Sequence, residues 1–301
     1  MAVDTPENLY KYCSYEEALE ILQTKSLRWQ SPSLLSEAFT LSHESNLTFD
    51  RDAFLKSAIK VAISLIFGRD DPKGETPLLA AIRRWRGEQR FNTPDEAQGI
   101  LKELLGKMVD HKMDELAVIV ADWQKYCASE RVCSFAEKPD QLDNWIHHGH
   151  NGRAVVLRFL VGEDRSLKEP EPISYLPVKP EITSIKEQMA CLFYNHKDKS
   201  RESFKARSLM KPPVFKQEKE WRCFRKTANP PSLSESEASE WHESFAFDPK
   251  DLKAVYFGPE LEPEAVDTLS TALKANFEKS KRHQLSFSKG TYALAVENLE
   301  Y

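Results

Sequence analysis

The segment from Phe215 to Phe224 carries the clearest chemical pattern in the sequence, because charged residues occupy alternate positions in it. Glu218, Glu220 and Arg222 follow one another at intervals of two residues. In a β-strand such residues share one face, and the two glutamates would lie about 7 Å apart at their α-carbons. Two carboxylates at this spacing can act as a general acid/base pair. The alternative is a salt-bridged strand face exposed to solvent, which is common in proteins.

The histidines of the segment IHHGHNG form a second polar cluster. His147, His148 and His150 fall within four positions, but no cysteine or carboxylate stands nearby at a familiar zinc-ligand spacing. We interpret the segment as a polar turn between a helix that ends near Trp145 and the strand RAVVLRFL. We therefore predict that no metal binds here and favour a substrate contact for one of the histidines.

A strand–helix–strand unit at the N-terminus is the first element that could position these residues. LYKYC and LRWQ are short and aromatic, and SYEEALEILQTKS between them has apolar residues at helical spacing. Ser14 followed by Glu17 fits a helix N-cap with a capping box.

A helical block then separates this unit from the remaining strands. Helical periodicity dominates residues 49–128, and strand patterns return in RVCSFAE, RAVVLRFLV, EPISYLPV and FKQEKEWRCFRKT. A further helix is predicted over residues 183–209. We expect a single elaborated domain over residues 1–301, in which 49–128 is a helical insertion and 131–301 supplies the rest of a β-rich core. The Pro/Ser/Glu-rich stretch near residues 229–239 predicts a flexible loop.

Composition excludes several classes of protein. A net charge of −5 gives no overall basic field toward nucleic acid or anionic membranes, and the longest apolar stretch is far too short to span a bilayer. The N-terminus has neither the basic nor the apolar region of a signal peptide, and the five scattered cysteines are typical of free thiols in a reducing cytoplasm. We therefore predict a cytoplasmic protein with no membrane partner. No Walker A loop, GxGxxG fingerprint, GxSxG elbow or HExxH motif occurs.

Several blocks together resemble a known fold family. They are LYKYCSYEEALEILQTKSLRWQSPS, CSFAE with NWIHHGHNGRAVVLRF, EKEWR, and AVYFG. In this order they are similar to a large bacterial family of uncharacterised proteins, whose blocks in turn resemble the ADP-ribosyltransferase fold. The resemblance excludes most of the helical block. It implies an α+β protein with an ADP-ribosyltransferase-like split β-sheet core and an inserted helical block.

The resemblance also implies a site for NAD. Tyr10, Lys11 and Tyr12 match the first-strand position that contacts NAD in the transferases, and Ser134 lies near the serine of the second motif. Lys11 stands where many transferases have histidine or arginine. Because a strand sends Lys11 and Tyr12 to opposite faces, we favour Lys11 in the cleft, where a cation can meet the pyrophosphate.

The catalytic residues implied by the resemblance are Glu220 and Glu218, which match its Glu-x-Glu element. Glu220 would stabilise the ribosyl cation, and Glu218 would orient or deprotonate the acceptor. His148 stands at the position of a family tyrosine, and Arg222 is a second candidate for the pyrophosphate.

The implied function is NAD-dependent transfer of ADP-ribose to a macromolecular acceptor, protein or nucleic acid, as in a bacterial toxin or phage-defence effector. An antitoxin or regulatory protein would be a further partner. NAD is then a substrate, and no metal is required. Two alternatives stay open: a catalytically silent module of the same fold that binds a nucleotide or protein, and an NAD glycohydrolase.

Overall fold

The computed structural model is of the α+β class, as predicted. It describes residues 4–35, 47–178, 180–232, 238–291 and 293–299. Of the loop predicted to be flexible, residues 233–237 lie outside the described part. The contacts divide the chain into two compact units. The first comprises residues 1–41, 127–179 and 209–301, and the second comprises 42–126 and 180–208.

The first unit contains the strands and three of the helices. Its strands are β1 (Asn8–Cys13), β2 (Ser26–Gln30), β3 (Glu130–Ala136), β4 (Val155–Leu160), β5 (Glu171–Pro172), β6 (Ser174–Tyr175), β7 (Met210–Lys211), β8 (Glu220–Lys226), β9 (His242–Ala246), β10 (Leu252–Phe257), β11 (Lys281–Phe287) and β12 (Leu294–Leu299). Its helices are α1 (Tyr15–Thr24), α5 (Leu142–His147) and α8 (Pro263–Asn276).

The second unit is helical. Its helices are α2 (Arg51–Phe67), α3 (Pro77–Gly87), α4 (Pro94–Ser129, whose last turn belongs to the first unit), α6 (Ile185–Tyr194) and α7 (Phe204–Arg207). Helix α3 begins where Thr76 accepts a hydrogen bond from the Leu79 amide, and Pro77 follows at the first helical position. Buried side chains such as Phe54, Leu79 and Leu105 form the core of this unit.

The predicted helix over residues 183–209 is wrong in its length. Helix α6 ends at Tyr194, because Asn195 takes a left-handed conformation (φ 54°) that stops the helix and caps its last carbonyls. Farther along, helical structure returns only in a 3₁₀ turn at Arg201–Ser203 and in the four residues of α7. The segment EPISYLPV likewise forms only the two short strands β5 and β6.

The strand predicted from Phe215 onward begins later than expected. Residues Pro213–Glu218 form a 3₁₀ helix, Lys219 is left-handed (φ 46°), and β8 starts at Glu220. Two consecutive prolines, Pro212 and Pro213, precede this turn, and proline cannot donate to a strand ladder. Glu218 therefore does not lie on the strand.

The main sheet is split along one edge of β3. Strand β8 pairs with β3 over its whole length, from Glu130–Lys226 to Ala136–Glu220. On the opposite edge, β1 meets β3 at the pair Tyr10–Ala136, and β2 meets β3 at Gln30–Val132. Ser134 lies between these two junctions. On the β1 side, the sheet extends through β4, β10, β11 and β12, which pair in that order. On the β2 side, it ends with β9.

One face of this sheet packs against α1 and α8. Leu9, Trp29, Leu157 and Trp221 belong to one buried apolar cluster that also includes α1 and α8 side chains such as Leu22 and Leu273. Trp29 and Trp221 thus serve packing. Helix α1 begins at Ser14, whose hydroxyl accepts from the Glu17 amide, as the cap pattern predicted.

None of the described helices combines the length and the apolar character needed to cross a bilayer. The five cysteines are free thiols.

Candidate functional site

One cavity in the first unit, of about 170 Å³, collects all eight residues that the resemblance assigns to the NAD site. They come from four distant parts of the chain: Tyr10, Lys11, Tyr12, Ser134, His148, Glu218, Glu220 and Arg222. Six further residues, which no sequence pattern marks, also line the cavity: Gln30, Leu35, Phe135, Ala136, Asn144 and Lys211. The cavity lies where β1 and β2 separate along β3.

Strand register explains why these residues meet. Tyr10 is opposite Ala136, and Ala136 is opposite Glu220, so the three form a row across β1, β3 and β8. Directly opposite residues point to the same face. Ser134 is opposite Arg222 on that same face, two residues farther along.

Strand parity separates Tyr12 from Lys11. Tyr12 shares the Glu220 face, because it lies two residues from Tyr10. Lys11 shares the opposite face with the buried residues Leu9 and Cys13, and its ammonium lies 3.8 Å from Glu17 of α1. Lys11 still lines the cavity, but its nearest carboxylate partner is on the helix side of the sheet. The two residues therefore do point in opposite directions, and Tyr12 is the one on the side of the two carboxylates.

Lys211 brings the two carboxylates together. Its ammonium donates to Glu218 Oε2 at 2.6 Å and to Glu220 Oε2 at 2.8 Å. The turn at Lys219 makes this convergence possible, because it re-aims Glu218 after the 3₁₀ helix while Glu220 begins the strand. Arg222 Nε donates to the other oxygen of Glu220, Oε1, at 2.6 Å. Two carboxylates and two cations thus form one buried cluster.

The cations keep both carboxylates ionised. Burial by itself would raise the pKa of Glu220, but Arg222 and Lys211 outweigh it and lower this pKa to about 2. Burial also opposes ionisation of Glu218, whereas hydrogen bonds from His148 and Lys211 lower its pKa below the ordinary value. Near neutral pH the site therefore presents two negative charges among fixed donors.

Helix α5 and strand β6 complete the surroundings of the carboxylates. The His148 Nε2 atom lies 3.2 Å from Glu218 Oε1, and Asn144 Nδ2 donates to the Glu218 carbonyl at 3.2 Å. The backbone amide of Glu220 donates to the Tyr175 hydroxyl at 2.8 Å. Burial raises the pKa of Tyr175 to about 12, so this hydroxyl stays protonated at neutral pH.

Aromatic rings form the β1 side of the site. Tyr10 contacts Tyr256 edge-on, with ring centroids 6.0 Å apart, and Tyr12 contacts Trp145 in the same way at 5.4 Å. The Tyr12 hydroxyl donates to the Lys138 carbonyl at 2.9 Å. These contacts fix the orientation of both tyrosines beside the cavity.

Two important residues were missed from the sequence. Lys211 is the second residue of the two-residue strand β7 and directly precedes two prolines, and no spacing pattern marks it. Tyr175 is an aromatic residue in a predicted strand, where aromatic residues are ordinary. Both acquire their significance only through the approach of β6, β7 and β8.

The three histidines form a turn, as interpreted. His147 ends α5, and His150 and Asn151 have positive φ values of 46° and 54° ahead of Gly152. Only His148 reaches a carboxylate of the cavity. Among the described residues, no group of three or more His, Cys, Asp or Glu side chains is arranged to hold a metal ion.

Comparisons of this chain with protein-family models, with curated proteins and with solved structures give no match.

Proposed function

We propose that the cavity binds the nicotinamide–ribose end of NAD and that the protein transfers ADP-ribose from it to a macromolecular acceptor. One observation carries the proposal. Two ionised glutamates, Glu218 and Glu220, meet beside two aromatic side chains in a cavity where the sheet splits. The resemblance of the sequence blocks to ADP-ribosyltransferases implies the same residues and the same substrate.

The proposed chemistry requires a negative charge beside the sugar. When the bond between nicotinamide and ribose breaks, nicotinamide leaves with the bonding electrons and the ribose becomes oxocarbenium-like. A fixed carboxylate that faces this developing cation lowers the barrier, because it does not have to reorganise during the reaction. Glu220 suits this role, since its neighbours hold it ionised and in one orientation.

Glu218 suits the activation of the acceptor. Its carboxylate can accept a proton from the attacking group, and His148 Nε2 lies 3.2 Å from it, within reach of the same proton. In this proposal the acceptor enters from the side of His148, which is more exposed than the carboxylates. Tyr12 and Tyr10 offer ring faces and edges to the nicotinamide.

Arg222 has a different role from the one inferred from sequence. It was a candidate for the pyrophosphate, but its side chain is only 1% exposed and its Nε is bound to Glu220. We therefore assign it to holding Glu220 in place. Lys11 also lines the cavity, but its ammonium lies toward Glu17 on the opposite face of the sheet, so it suits the pyrophosphate less well than the sequence suggested.

A second candidate function is binding without turnover. It is favoured because both carboxylate oxygens of Glu220 already accept hydrogen bonds, one from Arg222 and the other from Lys211. A carboxylate held this closely by two cations has less negative potential to offer a substrate cation than a free one would. In that case the ion-paired side chains would form a rigid wall of a binding site for a nucleotide or protein ligand.

One experiment tests these alternatives together. Pure protein is incubated with NAD labelled in its adenylate part, alone and with protein and nucleic-acid acceptors, and the products are separated by size. Label on a macromolecule supports the transferase. Free ADP-ribose without acceptor labelling supports an NAD glycohydrolase, and unchanged NAD that nevertheless binds in calorimetry supports the silent module. The absence of both turnover and NAD binding would refute the proposal.

A further inference from the structure

A second cavity lies wholly within the helical unit and has a volume of about 390 Å³. This volume is within the range of about 300–1,000 Å³ that is typical of small-molecule pockets. Helix α6, the segment 196–200 and helix α7 form its walls. None of its lining residues belongs to the cavity that contains Glu218 and Glu220.

The notable residue of this second cavity is Arg207, which is 7% exposed. Its Nη2 donates to the Ile182 carbonyl and to Ser203 Oγ, and its Nε also donates to Ser203 Oγ. Its Nη1 has no hydrogen-bond partner among the described residues. A buried guanidinium with an unused donor is costly unless an acceptor reaches it.

The carboxylates near Arg207 are already engaged. Glu187 accepts from Thr183 and Ser184 at the start of α6. Asp198 accepts from Gln188 Nε2 and from the Ser200 amide. Burial lowers the pKa of Arg207 to about 10, against the opposing influence of Glu187 and Glu181, so the guanidinium is still charged at neutral pH. It has no carboxylate in direct contact among the described residues.

Gln188 adds a complementary feature. It is 1% exposed, and its amide nitrogen is used by Thr183 and Asp198. Its Oε1, however, accepts no hydrogen bond within the described residues. The cavity thus has one unsatisfied cationic donor and one unsatisfied acceptor in its buried wall. The exposed side chains of His196 and Lys199 add donors around it, and Lys199 adds a positive charge, whereas the ammonium of Lys197 is paired with Glu202 at 2.8 Å.

We propose that this cavity is a binding site for a small metabolite that carries an oxyanion together with a hydroxyl or amino group. The oxyanion would accept from Arg207 Nη1, and the hydroxyl or amino group would donate to Gln188 Oε1. The enclosed arginine favours a small molecule over a polymer. A phosphoryl group and a carboxylate both satisfy this chemistry. The proposal does not depend on NAD chemistry in the first unit, because the two cavities share no residue.

The test uses inorganic phosphate and acetate as separate probes of the full-length protein. Binding is followed by calorimetry and by the shift of the melting temperature. We expect one or both anions to bind the wild type. Loss of a hydrogen bond from a charged group should weaken that binding by about 10- to 100-fold in Arg207→Met. Arg84→Met, which removes an exposed arginine of the same unit, is the matched control and should bind as the wild type does.

A surface variant keeps the test decisive if Arg207→Met does not fold. Lys199→Glu reverses an exposed charge that lines the cavity and leaves the buried packing unchanged, and it should weaken anion binding relative to Arg84→Met. Preference for phosphate over acetate, or the reverse, identifies the oxyanion. The proposal is overturned if the wild type binds neither anion. It is equally overturned if Lys199→Glu and any folded Arg207→Met protein bind as tightly as the control.

Discussion

Glu220 is the residue on which both the proposed chemistry and the local stability depend. It is buried, it contacts Lys211 and Arg222, and it begins the strand that carries the site. A substitution at this position therefore has two effects that must be measured separately.

We predict that Glu220→Gln lowers turnover of NAD by about 10²- to 10³-fold, which is the effect of losing one preorganised electrostatic group. The variant also leaves buried cations less well compensated, so it should lose about 3 kcal/mol of unfolding free energy. Activity is therefore expressed per folded molecule, with folding followed by circular dichroism.

Asp251→Asn is the matched control for this prediction. Asp251 is as buried as Glu220 and is held by Arg165 and Ser166, but it does not line the cavity. Its substitution should destabilise the protein and leave turnover per folded molecule unchanged. Equal turnover in Glu220→Gln and Asp251→Asn would remove Glu220 from the reaction.

The depressed pKa of Glu220 also predicts a pH dependence of stability. The ordinary value is 4.5 and the folded value is about 2, so the unfolded chain binds the proton more tightly. The stabilisation is therefore fully present above about pH 4.5 and is lost as the pH falls toward about 2, which amounts to about 3 kcal/mol. Urea unfolding at about pH 6 and about pH 3 should show that the stability difference between wild type and Glu220→Gln shrinks at the lower pH. A difference that stays constant would contradict the assigned ion pairs.

At the scale of the elements, the turn at Lys219 decides where the carboxylates point. A left-handed conformation is tolerated by glycine but is unfavourable for a β-branched side chain. We predict that Lys219→Gly keeps turnover close to that of the wild type. Lys219→Val should lose about 1–2 kcal/mol of stability and should also lose turnover, because Glu218 no longer reaches Lys211.

The comparison between these two variants is internally controlled. Both remove the surface ion pair between Lys219 and Glu137, which is exposed and therefore weak. Any difference between them in melting temperature or in kcat therefore reports the backbone conformation. If the valine variant matches the glycine variant in both measurements, the turn does not position the site.

The parity of β1 makes a separate prediction about NAD binding. Tyr12 shares the face of Glu220, whereas Lys11 points toward Glu17 on the helix side. Calorimetry should show that Tyr12→Ala weakens NAD binding by about 3- to 10-fold, the loss expected for one aromatic contact. Lys11→Met should weaken it less, and Tyr194→Ala, an exposed tyrosine of the helical unit, should not change it. A larger effect at Lys11 than at Tyr12 would restore the lysine as the principal contact.

The same elements show how far the sequence alone could lead. Sequence patterns correctly located β1, α1, β2, β3 and β4. Helix α1 and strand β2 bury one apolar face at a regular spacing, whereas β3 and β4 are buried on both faces and read as nearly continuous apolar runs. The alternation through Glu218 and Glu220 was misleading, since residues before and after a turn can converge on one point without sharing a strand. The role of Lys211 could not be predicted from the sequence, because it depends on pairing between segments that are remote in sequence.

At the scale of the whole molecule, the two units differ in how their buried charged side chains are paired. In the first unit, Lys211 and Arg222 balance Glu218 and Glu220. In the second, Arg207 is buried while the nearby carboxylates are engaged elsewhere. The net charge of −5 therefore says little about either cavity, since each has a local balance of its own.

Because each unit also buries its own apolar side chains, we expect each to unfold cooperatively as a separate transition. Leu22→Ala in α1 and Leu79→Ala in α3 remove fully buried side chains, at a cost of about 2–5 kcal/mol each. Differential scanning calorimetry should show that Leu22→Ala lowers the melting temperature of one transition and that Leu79→Ala lowers that of the other. NAD should raise only the transition sensitive to Leu22→Ala, and phosphate or acetate only the one sensitive to Leu79→Ala. A single transition lowered by both substitutions and raised by both kinds of ligand would mean that the chain unfolds as one cooperative unit.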